Sequence, residues 1–254
     1  MQIYPINNIN YNKKPSFKRW ERETRDARNI LVNRNNTLFF RQVDFFHNLT
    51  NLLSENFKNI PKVNVYCYGC SDGSEAFTFA MSMLSNKQES NPQKFFPIKA
   101  SDIDPVAIQK ANNNDYHITL YEKEKINVFT DNQYDRFILQ PFGEPAKDKK
   151  GTKVFVKKEL YDCVDFKIKN ILTDYKEIEP KNSVVMVRNF WPYIDYEDRM
   201  IFFRNLYQHL DSNSYVIIGD FDQQGISYAL QGNFEQDIEK MGFKPTSMRY
   251  VFTK

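Results

Sequence analysis

The sequence predicts an α/β fold built on a mostly parallel sheet, and three stretches of the 254-residue chain carry that expectation. Residues 63–77 read as a buried strand, a tight glycine turn and the start of a helix. Phe96-Pro97-Ile98-Lys99-Ala100-Ser101 reads as a second strand ending in Asp102-Ile103-Asp104. Ser183-Val184-Val185-Met186-Val187 is an almost wholly apolar run, as expected for a strand buried on both faces. Strands that alternate with helical patterns point to crossover units and a parallel sheet.

Composition narrows the class. A hydrophobic fraction of 41%, with 22 Phe and 15 Tyr, is ample for a large core. The net charge of +3 implies no general affinity for nucleic acid. The charge is uneven, because residues 1–41 hold nine Lys or Arg against three acids. Three cysteines, Cys67, Cys70 and Cys163, fit a reducing compartment. Cys67-x-x-Cys70 has the look of a redox or zinc half-site. No second pair follows, however, and three histidines are few, so a buried strand-end pair without metal is expected. No apolar run approaches the roughly 20 residues of a membrane span, and the polar N-terminus lacks a signal-peptide core. A soluble cytoplasmic protein without membrane insertion is the expectation.

The elements follow in order. Residues 1–15 are an Asn- and Lys-rich lead. Ser16 caps a densely charged helix to about Val32, either a solvated helix or a basic face for an acidic partner. After Asn35-Asn36-Thr37-Leu38-Phe39-Phe40-Arg41 comes a helix with Val43, Phe45, Phe46, Leu49, Leu52 and Leu53 on its apolar side. Phe39 and Phe40 are expected core anchors, whereas a partly buried Arg41 needs an acidic or carbonyl partner. In the glycine turn, Gly69 and Gly73 permit angles and close approaches that a side chain blocks. Ser71 or Asp72 then caps the next helix. A helix start beside such a turn suits a ligand's polar end. Asp102 ends the second strand, where an acid commonly accepts ribose hydroxyls. Asp104 and Pro105 have the order of an N-cap and first helical residue.

Residues 117–168 interrupt the pattern. Residues 127–142 read as one or two helices, residues 144–152 as a charged loop, and Val154-Phe155-Val156 and Val164-Asp165-Phe166-Lys167-Ile168 as strands of an inserted β-rich lobe. The central strand at 183–187 ends in Arg188-Asn189-Phe190-Trp191-Pro192-Tyr193, polar and aromatic residues where an α/β sheet places its site. A helix at about 195–210, a strand at 214–220, a short helix around Phe234, Ile238 and Met241, and a last strand at about 246–252 complete the chain.

Four motifs in this order resemble those of the chemotaxis-receptor methyltransferases of the CheR type. Thr37-Leu38-Phe39-Phe40-Arg41 resembles T-x-F-F-R, and Gly69-Cys70-Ser71-Asp72-Gly73-Ser74-Glu75 resembles G-C-S-T-G-E-E. Ala100-Ser101-Asp102-Ile103-Asp104 resembles A-T/S-D-I-D, and Arg188-Asn189-Phe190-Trp191-Pro192-Tyr193 resembles C-R-N-V-x-I-Y. The resemblance implies a Rossmann-like class I methyltransferase three-layer sandwich. Its sheet is mostly parallel, with an antiparallel final strand and a small inserted β-rich lobe. It implies S-adenosylmethionine as cofactor, S-adenosylhomocysteine as product, and methylation of glutamate side chains. The implied partner is an acidic helical protein such as a chemoreceptor cytoplasmic domain.

The roles it implies fall on particular residues. Asn35, Thr37 and Arg41 approach the methionine end of the cofactor. Gly69 and Glu75 bind it from the turn and first helix, and Asp102 holds the ribose. Asn170 and Ile171 flank the adenine, Arg188 and Asn189 line the pocket, and Arg41 and Tyr193 steer the acceptor. Ser74-Glu75-Ala76 stands where the family has Glu-Glu-Pro, and Gly219-Asp220-Phe221 lacks the family's G-H-S-E. The expected organisation is an N-terminal lead and basic helix over 1–41 and a methyltransferase domain over 42–254, with the insertion at about 117–168. Two alternatives remain open: a diverged methyltransferase with another acceptor, and a non-catalytic module that binds S-adenosylmethionine or S-adenosylhomocysteine.

Overall fold

The computed structural model describes residues 37–141, 151–222 and 233–254. The expected helix from Ser16, the lead before it and Asn35 lie outside these residues, as does most of the 144–152 loop.

Helix α1 (Val43–Asn56) precedes the first strand, β1 (Asn64–Tyr68). Then come α2 (Ser74–Leu84), β2 (Ile98–Asp102) and α3 (Pro105–Asn113). Strand β1 lies inside a seven-stranded sheet, parallel to β2 on one side and to the central strand β7 (Ser183–Val187) on the other. Strand β6 (Val164–Ile168) extends the β2 side, and β8 (Tyr215–Ile217) extends the β7 side, both in parallel. Beyond β8, β10 (Val251–Thr253) runs antiparallel, and β9 (Lys244–Pro245) pairs with it at the edge. The spatial order is therefore β6-β2-β1-β7-β8-β10-β9. Chain direction across the sheet reverses between β1 and β7, and such a switch point opens a crevice at the carboxyl ends of the strands.

Alternation along each strand separates two apolar layers. Val65 and Cys67 of β1 and Val184 and Met186 of β7 join Leu49 and Leu53 of α1 and Phe77 and Ala80 of α2 on one face. Tyr66, Tyr68, Val185 and Val187 face the other layer, with Phe202, Phe203 and Leu206 of α8 (Tyr196–His209) and Ile238 of α9 (Phe234–Lys240). Each fully buried Phe contributes roughly 1.5–3 kcal/mol relative to exposure. The paired layers are what hold the strand ends in register. Among the described residues, no helix is long and apolar enough to cross a membrane.

The inserted lobe is a separate three-stranded antiparallel sheet of β3 (Tyr116–Ile118), β5 (Thr152–Val156) and β4 (Ile138–Leu139). Helices α4 (Leu120–Phe129) and α5 (Tyr134–Phe137) lie between β3 and β4 in the chain. A short helix, α6 (Lys158–Tyr161), returns the chain to the main sheet. Three sequence expectations change here. Val164–Ile168 is the outer strand of the main sheet rather than part of the lobe, because it pairs with β2 along its whole length. The helical content expected over 127–142 begins earlier, at Leu120, where Thr119 and Glu122 form a capping box. The single last strand expected over 246–252 is a hairpin, β9 and β10, with Tyr250 left-handed at φ 67° between them.

Candidate functional site

The glycine turn joins β1 to α2 at the switch point. Gly69 is left-handed at φ +67°, and a Cβ there would meet the Phe190 ring at 2.6 Å. Gly73 is left-handed at φ +90°, and its Cβ would meet the Phe166 ring at 2.5 Å. Both positions therefore require glycine on two counts, dihedral angle and contact. Gly73 occupies the cap position of α2 in place of the expected Ser71 or Asp72. Asp72 still serves the helix start, since its Oδ1 accepts from the Ser74 amide at 3.1 Å and the Ser74 hydroxyl at 2.7 Å. Cys67 and Cys70 are buried free cysteines, and burial pushes both thiols well up from their ordinary value. Among the described residues, no group of three or more His, Cys, Asp or Glu could hold a metal ion.

Asp102 ties the second strand to this turn. Its Oδ2 accepts from the Ser71 amide at 2.8 Å, and its Oδ1 accepts from the Asp104 amide at 2.9 Å. Burial raises its carboxyl, while these amides pull the other way. A carboxylate oxygen can accept more than one hydrogen bond, so capacity for hydroxyl donors remains. Asp104 caps α3 by accepting from the Val106 amide. The Lys169 amide donates to Asp102 O at 3.0 Å, which sets Asn170 and Ile171 beside the end of β2. Asn170 caps α7 (Ile171–Asp174), and Ile171 is buried under the Tyr66–Tyr68 layer.

The third group is charged. Glu75, in the first turn of α2, receives Arg188 Nη1 at 2.7 Å, with the Arg188 side chain 2% exposed. Arg188 Nη2 donates to Gln42 Oε1, and its guanidinium lies 4.5 Å over Phe45 and 5.0 Å over Phe46. The β7 end is thus clamped between α1 and α2 by one cation. Asn189 follows it in the left-handed region, at φ 66°. Arg188 Nε and Asn189 Oδ1 are buried without a hydrogen-bond partner among the described residues. Such unpaired polar atoms are costly when buried and leave capacity for a polar ligand.

The turn bearing Thr37 and Arg41 is docked on both sides. The Phe40 amide donates to Thr78 Oγ1 of α2 at 3.0 Å, and Phe40 itself is left-handed at φ 52°. The Phe39 amide donates to Glu122 Oε1 of the lobe at 3.2 Å, and Lys125 Nζ donates to Phe40 O at 3.3 Å. Phe39 and Phe40 are core residues, as expected. Arg41 is exposed and lines an open cleft of about 880 Å³ with Gln42, Phe45, Lys125, Asp220 and Arg249. Tyr193 ends a 3-10 turn over Trp191–Tyr193 and packs on Phe221, with ring centroids 6.2 Å apart. Phe221 follows the cleft residue Asp220 in the chain.

Sequence reasoning missed four residues here. Gln42 reaches the site through Arg188, remote in the chain, Glu122 adds a remote contact to Phe39 beyond its local capping box, and Lys125 braces the Phe40 carbonyl from the lobe. Asp222 is wholly buried and accepts three backbone amides, from Asn189, Trp191 and Gly219, at 2.7, 3.0 and 2.8 Å. Its only local signal was an acid five residues beyond the end of β8.

Counted in chain order, the main-sheet strands lie as 3-2-1-4-5-7-6, a doubly wound order with an antiparallel strand near one edge. That order, a glycine turn after the first strand and an acid ending the second define a Rossmann-like class I methyltransferase fold. More particularly, the chain belongs to the CheR methyltransferase family, whose S-adenosylmethionine-binding domain model matches residues 35–236. S-adenosylmethionine is accordingly its cofactor. A chemotaxis protein methyltransferase of Borreliella burgdorferi is 28% identical over 199 residues, covering 74% of this chain. The match spans 64% of that relative's length. Solved structures give looser likenesses. A TehB-like S-adenosylmethionine-dependent methyltransferase from Corynebacterium glutamicum has a TM-score of 0.43 at 13% identity, over 94% of this chain and 100% of its own. Magnesium protoporphyrin IX methyltransferase from Synechocystis has a TM-score of 0.42 at 13% identity, over 95% of this chain and 96% of its own.

Proposed function

We propose that this chain transfers a methyl group from S-adenosylmethionine to glutamate side chains of an acidic helical protein, of which a chemoreceptor cytoplasmic domain is the type. The observation that carries the reading is the position of Arg41. Arg41 lines the open cleft beside Gln42, whose side-chain amide joins the buried Glu75–Arg188 pair. A planar guanidinium suits a carboxylate acceptor.

When bound, the cofactor supplies a methyl group on a positively charged sulfur and needs no metal or covalent nucleophile from the chain. Asp102 accepts the ribose hydroxyls, and Asn170 and Ile171 flank the adenine. Glu75, Arg188, Asn189, Asn35 and Thr37 bind the amino-acid end. Arg41 pairs with the acceptor carboxylate, which is already ionised at neutral pH. Tyr193 orients it by a hydrogen bond. Catalysis by the chain then consists of alignment and partial exclusion of water. The basic lead at 1–41 docks the acidic partner, with the domain over 42–254 carrying the chemistry.

Labelled methyl transfer into a receptor-like helix tests this. Base-labile label on glutamate is the expected result. Base-stable label would move the acceptor to another group. No transfer to any acceptor, with cofactor still bound, would reduce the chain to a binding module.

A further inference from the structure

We propose that Asp222 is the positioning residue for the pocket-lining turn after β7, acting through the backbone of Asn189 and Trp191. This rests on the reading that Arg188 and Asn189 line the cofactor pocket.

The geometry is a staple between two strand ends. Asp222 Oδ2 accepts from Asn189 N at 2.7 Å, on the loop after β7, and from Gly219 N at 2.8 Å, on the loop after β8. Its Oδ1 accepts from Trp191 N at 3.0 Å, at the start of the turn that ends in Tyr193. The two loops also touch directly, since a Cβ on Gly219 would lie 2.1 Å from Asn189 Oδ1. Asn189 is held left-handed, a conformation that needs support from its surroundings. One buried carboxylate thus fixes the residue that follows Arg188 and the turn that carries Tyr193.

An ionised carboxylate holds all three amides most tightly. A proton on either oxygen takes up one acceptor position and removes the negative charge, which weakens all three contacts. The side chain is fully buried, and burial pushes its carboxyl up to about 7 against the pull of the three amides and Arg188. Among the described residues, the charged groups around it are few. Arg188 faces it from the end of β7. Arg199 faces it from α8, donating to Trp191 O at 3.5 Å and itself influenced by Asp195 and by Asp237 of α9. Asp220 lies in the same helical stretch as Asp222. The staple therefore opens as pH falls through neutrality, with ligand affinity falling alongside it.

The test follows S-adenosylhomocysteine affinity by calorimetry from pH 5.5 to 7.5, in the wild type and in Asp222→Asn. It is paired with hydrogen exchange of the 188–193 segment without ligand, corrected for intrinsic exchange. Wild-type affinity is expected to tighten about tenfold across the range, the scale of one charge-assisted hydrogen bond. Asp222→Asn is expected to bind weakly and without that slope. Wild-type protection of the Asn189 and Trp191 amides is expected to rise over the same range. A pH-independent wild-type affinity with constant protection would overturn the proposal. Exchange that follows pH with no ligand bound at any pH would keep the staple and sink the cofactor reading instead. Because both readouts come from the wild type, the proposal stays testable if the variant fails to fold.

Discussion

Arg188 and Glu75 meet at 2.7 Å across 113 residues of chain, joining the end of β7 to the first turn of α2. Glu75 sits where the partial positive charge of a helix N-terminus favours an acid. It also neutralises a guanidinium that is otherwise surrounded by Phe45, Phe46 and Gln42. Removing one partner leaves the other buried and uncompensated. Glu75→Ala is expected to lower the unfolding free energy by about 3 kcal/mol, measured by chemical denaturation. Glu75→Gln is expected to fall between the variant and the wild type. A loss within error of zero would show that the pair is not holding the strand end.

Gly73 offers a backbone test. Any side chain there meets both a left-handed φ of +90° and the Phe166 ring. Gly73→Ala is expected to destabilise by about 1–3 kcal/mol. It should also weaken S-adenosylhomocysteine binding, because the Ser71 amide that holds Asp102 is in the same turn. Unchanged binding in a folded variant would separate the turn from the ligand.

The lobe reaches the site through Glu122, which is 3% exposed and accepts from the Phe39 amide and the Thr119 amide with its two oxygens. Glu122→Ala leaves both amides without that acceptor. A stability loss of about 1–3 kcal/mol is expected, together with a higher KM for the methyl acceptor through a looser Arg41. If KM and stability both stay at wild-type values, the brace is not functional.

Asp222 couples stability to pH in the opposite sense to affinity. Its folded-state carboxyl is held at about 7, against an ordinary value of 3.8. Between these values the folded state binds more protons than the unfolded chain, so stability falls as pH rises through the window. Thermal unfolding of wild type should therefore show a midpoint that drops, relative to Asp222→Asn, from pH 5 to pH 8. Parallel midpoints for the two proteins would contradict this assignment.

Much of this was legible from local pattern. Glycine turns, apolar runs and strand-end acids are short-range signals, so β1, β2, β7 and the Asp104-Pro105 helix start stand where the sequence placed them. Val164–Ile168 alternates apolar and charged residues, which fits a half-exposed edge in any sheet. Only its pairing with β2, more than 60 residues away, assigns it to the main one. The lobe strands at Tyr116–Ile118 and Ile138–Leu139 are too short to show a period. Asp222 escaped notice because its partners are backbone amides from two loops, which no side-chain motif records.

The most direct measurement is calorimetric titration of S-adenosylhomocysteine into the wild type and Asp102→Ala. A pocket at the carboxyl ends of β1, β2 and β7 requires single-site binding to the wild type. It also requires a loss of about 1–3 kcal/mol in the variant, the scale of a removed charged acceptor. No binding at millimolar ligand, or equal affinity in the two proteins, would contradict it.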